Sequence, residues 1–123
     1  MKILVTGDRE WSNVEIILRE LKKFPKDTIV IHGACRGADI MCAEVAKSLG
    51  FVVRGYKANW NKHGKAAGPI RNQQMIDVEH TVEEPIGLCL AFHDCIKSSR
   101  GTKDMMKRAK RLKIPTELIT YYA

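Results

Sequence analysis

Thr28-Ile29-Val30-Ile31-His32-Gly33-Ala34-Cys35-Arg36-Gly37-Ala38-Asp39 decides the fold of this chain, because a short apolar run breaks into a glycine-bearing turn and a helical pattern follows at once. Thr28 to Ile31 reads as a strand. From Ala38, the small and apolar positions Met41, Cys42, Val45, Ala46 and Leu49 recur at helical spacing until Gly50 stops them. Gly33 and Gly37 allow a sharp turn and close approach of a ligand. The N–H groups at the start of the following helix carry partial positive charge, which favours an anion.

The same alternation extends outward in both directions. Ile3-Leu4-Val5 is a buried strand bounded by Gly7, and Thr6 to Trp11 is its turn. Ser12-Asn13-Val14-Glu15 has capping-box spacing, and Val14, Ile17, Leu18 and Leu21 then form one helical face that ends near Phe24-Pro25. Phe51 to Val53 is a third strand, running toward Lys57. A long polar connection, Ala58 to Gly68, precedes Pro69, which opens a helix reaching about Asp77. After the acidic stretch Val78 to Pro85 comes a wholly apolar strand, Ile86 to Phe92. The turn His93 to Gly101, a basic helix Thr102 to Lys113 and a last strand Thr116 to Thr120 complete the chain. Strands alternating with helices at this spacing predict parallel pairing, hence a single domain over 1–123 with an α/β fold: a three-layer open parallel sheet of about five strands, order 3-2-1-4-5. Ligands of such sheets sit beyond the carboxyl ends of the strands, where the order reverses. The unusual loops Thr6 to Trp11, Gly33 to Asp39, Ala58 to Arg71 and His93 to Thr102 all fall on that edge.

At 123 residues the chain is too short for two cores. No apolar run approaches the roughly 20 residues needed to cross a bilayer, so neither a signal peptide nor a membrane span is expected. Cys35, Cys42, Cys89 and Cys95 are irregularly spaced, which fits reduced thiols and a cytoplasmic setting. The net charge of +7 invites a nucleic-acid reading. Much of the excess, however, lies between Lys97 and Lys113, with Lys103, Lys107 and Lys110 on one helical face opposite Met105, Ala109 and Leu112. That pattern is first of all a solvated helix face.

Arg100-Gly101-Thr102 repeats the phosphate logic at the start of the last helix: a glycine for close approach, a hydroxyl and free N–H groups, which also describe an ordinary cap. Arg71, followed by Asn72 and Gln73, stands in the first turns of the third major helix, where the helix dipole disfavours a cation; it implies an anionic partner or an ion pair with Asp39 or Asp8. Asp8, Asp39 and Asp104 are the acids near this edge, suited to accept ribose hydroxyls, to act as a base or to charge a helix start. His32, Cys35, His93 and Cys95 lack metal-ligand spacing, so no metal is expected. With no Walker motif and no Gly-x-Gly-x-x-Gly fingerprint, neither ATP hydrolysis nor a nicotinamide cofactor is supported, and no cofactor is expected.

Val5-Thr6-Gly7-Asp8-Arg9-Glu10-Trp11, His32 to Asp39, Trp60 to Met75 and Arg100-Gly101-Thr102 together resemble the YspA/YpsA-related branch of the SLOG superfamily. The resemblance spans nearly the whole chain and implies a Rossmann-like fold and a nucleotide-like ligand. Within the superfamily, the Arg-Lys-x-x-Met helix motif of the LOG phosphoribohydrolases is matched by Arg71-Asn72-Gln73-Gln74-Met75. Their Pro-Gly-Gly-x-Gly-Thr-x-Glu motif is matched by the stretch ending Gly101-Thr102-Lys103-Asp104. The resemblance makes Arg71 and Asp104 a catalytic pair, the acid assisting water at an anomeric carbon while the arginine steadies substrate charge. This chain departs from the pattern at Ser98-Ser99-Arg100 and in having Asp104, one methylene shorter than Glu.

The expected function is therefore binding of a nucleotide or nucleotide-derived small molecule, with N-glycosidic cleavage of a nucleoside phosphate as the enzymatic form. Gly33, Arg36, Gly37, Gly101 and Thr102 form the expected phosphate cradle. Trp60 and His63, from the long loop, are expected either to stack on the base or close over it or, for Trp60, to anchor that loop to the core. Gly7, Asp8, Arg9, Asp39, Asn72 and Arg100 complete the ligand-binding set. A non-catalytic sensor or sequestering domain would use the same pocket. Single-stranded nucleic-acid binding through the basic helix is the less favoured alternative, and a homo-oligomer is left open.

Overall fold

The computed structural model describes residues 1–121. Five parallel strands, β1 (Lys2–Gly7), β2 (Ile29–His32), β3 (Val52–Gly55), β4 (Ile86–Phe92) and β5 (Thr116–Ile119), pair in the order β3-β2-β1-β4-β5. Helices α1 (Val14–Leu21) and α2 (Ala38–Ser48) cover one face. Helices α4 (Ala67–Glu79) and α5 (Gly101–Arg111) cover the other, and a short α3 (Trp60–His63) precedes α4. This is the three-layer Rossmann-like α/β architecture expected from the alternation. No helix among the described residues is long and apolar enough to cross a membrane.

The two-residue period of the strands sorts the core into its halves. Ile3, Val5, Leu90 and Phe92 point to the α1 and α2 side, with Ile17, Cys42 and Ala46. Leu4, Ile31 and Cys89 point to the α4 and α5 side, with Met75, Met105 and Ala109, and Ile86 joins them out of period, before the register shift between β1 and β4. β1 and β4 are buried on both faces because they are central. β3 and β5 lie at the edges, and Val52 and Leu118 are correspondingly exposed.

Several local expectations are corrected. Asn13, not Ser12, caps α1, its side-chain oxygen accepting the Ile16 N–H at 3.1 Å, and Ser12 instead meets the Tyr121 hydroxyl. The buried face of α1 is Ile16, Ile17, Glu20 and Leu21, while Val14 faces solvent. The connection Ala58 to Gly68 is largely helical: α3 runs through a 3-10 turn, Gly64–Ala66, into α4, which begins before Pro69. On α5, Met106 is buried and Leu112 exposed, because the chain has left the helix by Leu112.

The acidic stretch after Asp77 acquires a structural role. α4 continues to Glu79, whose carboxylate is 2% exposed and holds three groups: Tyr56 Oη donates at 2.5 Å, Arg54 Nη1 at 2.8 Å, and Lys2 Nζ lies at 3.2 Å. Lys2 Nζ also donates to the Glu79 carbonyl at 2.8 Å, a cation at a helix C-terminus. Beyond it, His80 Nδ1 accepts the Ile86 N–H at 3.0 Å and so starts β4. Burial pushes the Glu79 carboxyl up, but the bonds from Tyr56, Lys2 and Arg54 outweigh it and hold the group below its ordinary 4.5. Its stabilisation is thus complete above about pH 4.5 and fades as pH falls through the depressed value. Glu79→Ala, which leaves the buried Lys2 only the more exposed Glu84 at 3.4 Å as an ion-pair partner, is expected to cost about 3 kcal/mol in urea unfolding at pH 7. Glu79→Gln should cost less and should flatten the acid limb of stability against pH.

Candidate functional site

Four loops at the carboxyl edge of the sheet enclose a crevice of about 880 Å³ over β1 and β4, the point where strand order reverses. A smaller lobe of about 350 Å³ opens beside it over the ends of β2 and β3, and Arg9, Arg36, Trp60 and Arg71 line both. Of the fifteen residues picked out from the sequence, all but Gly37 and His63 line the larger lobe.

The turn after β2 is held from within. The Asp39 carboxylate accepts the N–H of Gly33 at 2.9 Å and of Cys35 at 3.4 Å. His32 Nδ1 accepts the Ala34 N–H at 3.0 Å, and the Asp8 carbonyl accepts the Ala38 N–H at 3.0 Å. Those amides are therefore committed to protein acceptors. A Cβ on Gly33 would stand 2.8 Å from the Arg71 guanidinium carbon, and Gly37, at φ +81°, lies against the backbone carbonyls of Asp8 and Arg9. Gly7 packs on Ala38 in the same way. These glycines let three loops stack on one another.

His32 and His93 end β2 and β4 with one device: each Nδ1 accepts the N–H two residues on, Ala34 in one case and Cys95 in the other, both at 3.0 Å. Burial pushes the His32 pKa down, helped by the positive charges of Lys47 and Arg71, which keeps the ring neutral with its proton on Nε2. These bonds account for the two histidines that a metal reading would have used.

Arg71 is the unusual group. It is 7% exposed, yet among the described residues it has no ion pair. Nε donates to Asn72 Oδ1 at 3.0 Å, and Nη1 donates to the Gly33 carbonyl and, at 3.7 Å, to Cys35 Sγ. Nη2 has no protein partner among the described residues and is not sealed from the crevice. Asp8 and Asp39, its expected partners, serve backbone amides instead.

Asn72 connects Arg71 to Asp104: its amide nitrogen donates to Asp104 Oδ2 at 2.9 Å and reaches the Gly101 carbonyl at 3.4 Å. Arg108 Nε donates to the same Asp104 oxygen at 2.8 Å. Burial pushes the Asp104 pKa up, but the bonds from Arg108 and Asn72 and the charge of Arg111 bring it below its ordinary value, so the group is a carboxylate at neutral pH. At the start of α5, the Ser99 hydroxyl accepts the N–H of Thr102 at 3.1 Å and of Lys103 at 3.3 Å. Two of the N–H donors there, those of Thr102 and Lys103, are thus already capped by the protein. Arg100, Gly101 and Thr102 line the crevice above them.

Trp60 is 48% exposed and lines both lobes, with the Arg9 guanidinium 5.6 Å from its ring centre, so it is a wall of the crevice and not an anchor in the core. His63, one turn on, does not reach the lining. Lys57, Ser99 and Cys35 are lining residues that the sequence did not mark for ligand binding. Their only prior signal is position just beyond strands β3, β4 and β2.

A family model described as the YspA, cpYpsA-related SLOG family matches residues 1–63. The Gene 61 protein of Mycobacterium phage D29 is 33% identical over 123 aligned residues, covering 93% of this chain and 92% of that protein. No solved structure matches.

Asp39 supplies a test of the turn. Burial raises its pKa to about 6, against the bonds from Cys35 and Gly33 and the charge of Arg71. A carboxyl raised from 3.8 to about 6 contributes stability in full below the lower value and loses it as pH climbs to the higher. Asp39→Asn keeps an acceptor for both amides and removes that loss. The variant is expected to match wild type near pH 4 and to exceed it at pH 7 by at most about 3 kcal/mol in urea unfolding. Parallel pH profiles for the two proteins would place the titration elsewhere.

Proposed function

The chain belongs to the YspA, cpYpsA-related SLOG family, and from that premise we propose that its crevice binds a nucleotide or nucleotide-derived small molecule through an anionic group that pairs with Arg71. The observation that carries this reading is the guanidinium itself. A buried cation with no carboxylate at ion-pair distance is costly unless an anion arrives, the charge of Asp39 reaching it only through space, and Nη2 is the donor left for it. The exposed face of Trp60 offers a stacking surface for a base, and the carboxylates of Asp8 and Asp104 offer acceptors for sugar hydroxyls.

The geometry supports binding better than cleavage. Asp104 Oδ2 accepts from both Arg108 and Asn72, which lowers the basicity that activation of water needs. Arg71 and Asp104 are joined through Asn72, so they act as one positioned unit that holds the ligand in a fixed orientation.

Titration of nucleoside monophosphates against tryptophan fluorescence tests the reading, because Trp11 is buried and Trp60 is the indole that a ligand can reach. Saturable quenching is expected, absent in Trp60→Phe. Arg71→Gln should weaken binding at least about tenfold, the loss of one charge-assisted contact. No free base should accumulate; its release by wild type and not by Asp104→Asn would make the protein a hydrolase. Binding unaffected by Arg71→Gln would remove the basis of the proposal.

A further inference from the structure

We infer that the smaller lobe, over the ends of β2 and β3, is the phosphate subsite of the crevice, held by Arg9, Arg36, Lys57 and Arg71, and that the start of α5 is not. The inference rests on the nucleotide reading above and adds the direction in which such a ligand lies.

Charge separates the two lobes. The lining of the smaller one contains these four cations and no carboxylate. The larger one mixes cations with Asp8, Glu10, Asp39 and Asp104. Two carboxylates are set against the four cations: Glu10, whose Oε1 accepts from Arg36 Nη2 at 2.6 Å, and Asp39, whose charge faces Arg71 and Arg9 from beneath the turn. Four positive charges less two leave two, the charge of a phosphate monoester in its dianionic form.

Donor accounting points the same way. At the start of α5 the hydroxyl of Ser99 occupies the amides of Thr102 and Lys103, so a phosphate there would first have to displace a formed cap. In the smaller lobe only Arg36 already holds a carboxylate, that of Glu10. Arg71 Nη2 has no partner, and Lys57 and Arg9 form no ion pair among the described residues. Lys57 stands two residues beyond the end of β3 and lines this lobe with the other three cations. A phosphate in this lobe leaves the nucleoside to extend past Trp60 into the larger lobe, where the carboxylates lie. Its volume of about 350 Å³ is ample for a hydrated phosphate.

The test measures inorganic phosphate, a nucleoside monophosphate and the matching nucleoside by calorimetry, on wild type, Lys57→Gln and Ser99→Ala. Lys57 is exposed, so its replacement leaves the core untouched. Lys57→Gln is expected to weaken phosphate and the monophosphate by about tenfold and to leave the nucleoside unchanged. Ser99→Ala, which frees the α5 amides, should alter phosphate affinity by less than twofold. Phosphate affinity that rises in Ser99→Ala, or stays at the wild-type value in Lys57→Gln, would overturn the assignment while leaving nucleotide binding intact. Phosphate binding lost in Lys57→Gln, with the nucleoside portion contributing nothing in wild type, would keep the subsite and end the nucleotide reading.

Discussion

The guanidinium of Arg71 passes so close under the backbone of Gly33 that a single methyl group there would collide with it. Much of the carboxyl edge follows from that contact. It requires a glycine in the turn after β2, and it draws the first turns of α4 under that turn. The amides on the turn's other side are gathered by Asp39 from the first turn of α2. Gly37 and Gly7 then let the loop after β1 lie on top. Three loops from distant parts of the chain are locked together before any ligand is considered.

Helix α4 carries a disfavoured charge at each end, and the two are resolved differently. A cation near a helix N-terminus and an anion near its C-terminus both oppose the helix dipole. At the C-terminal end, Glu79 is answered within the protein by Lys2, Arg54 and Tyr56. At the N-terminal end, Arg71 is given carbonyl, amide and thiol acceptors, and no anion. The same helix thus shows one buried charge neutralised by ion pairs and one that lines the crevice with hydrogen bonds alone. The difference lies in the environment: Glu79 is far from the crevice, whereas Arg71 opens onto it.

The two glycine turns attract attention for a correct location and an incomplete reason. Free amides at helix starts would bind phosphate by themselves, but here Asp39, His32 and Ser99 have taken several of them. Positive charge is supplied instead by side chains from α4 and from the loops after β1, β2 and β3. The crevice is accordingly a preassembled scaffold with a cationic pocket on one flank, and its positive charge comes from side chains more than from backbone amides.

Local pattern was enough for the architecture. Short apolar runs at Ile3-Leu4-Val5 and Ile86 to Phe92, and a helical period after Ala38, are properties of adjacent residues, and alternation of such units leaves little freedom in sheet order. It was also enough to place the site at one edge and to single out Arg71, whose charge conflicts with its own helix. Local pattern misassigned Val14, Leu112 and the helical stretch after Ala58, where packing against distant residues decides which face is covered. It could not show that Glu79 is buried, that Asp39 caps a turn six residues back, that His63 points away, or that Lys57 joins Arg9 and Arg36. Each depends on residues that only the closed sheet brings together. Sequence therefore determined the fold and the neighbourhood of the site, while tertiary structure decided which donors remain free, because hydrogen-bond partners and burial are set by contacts between separate segments and not by the order of residues within one.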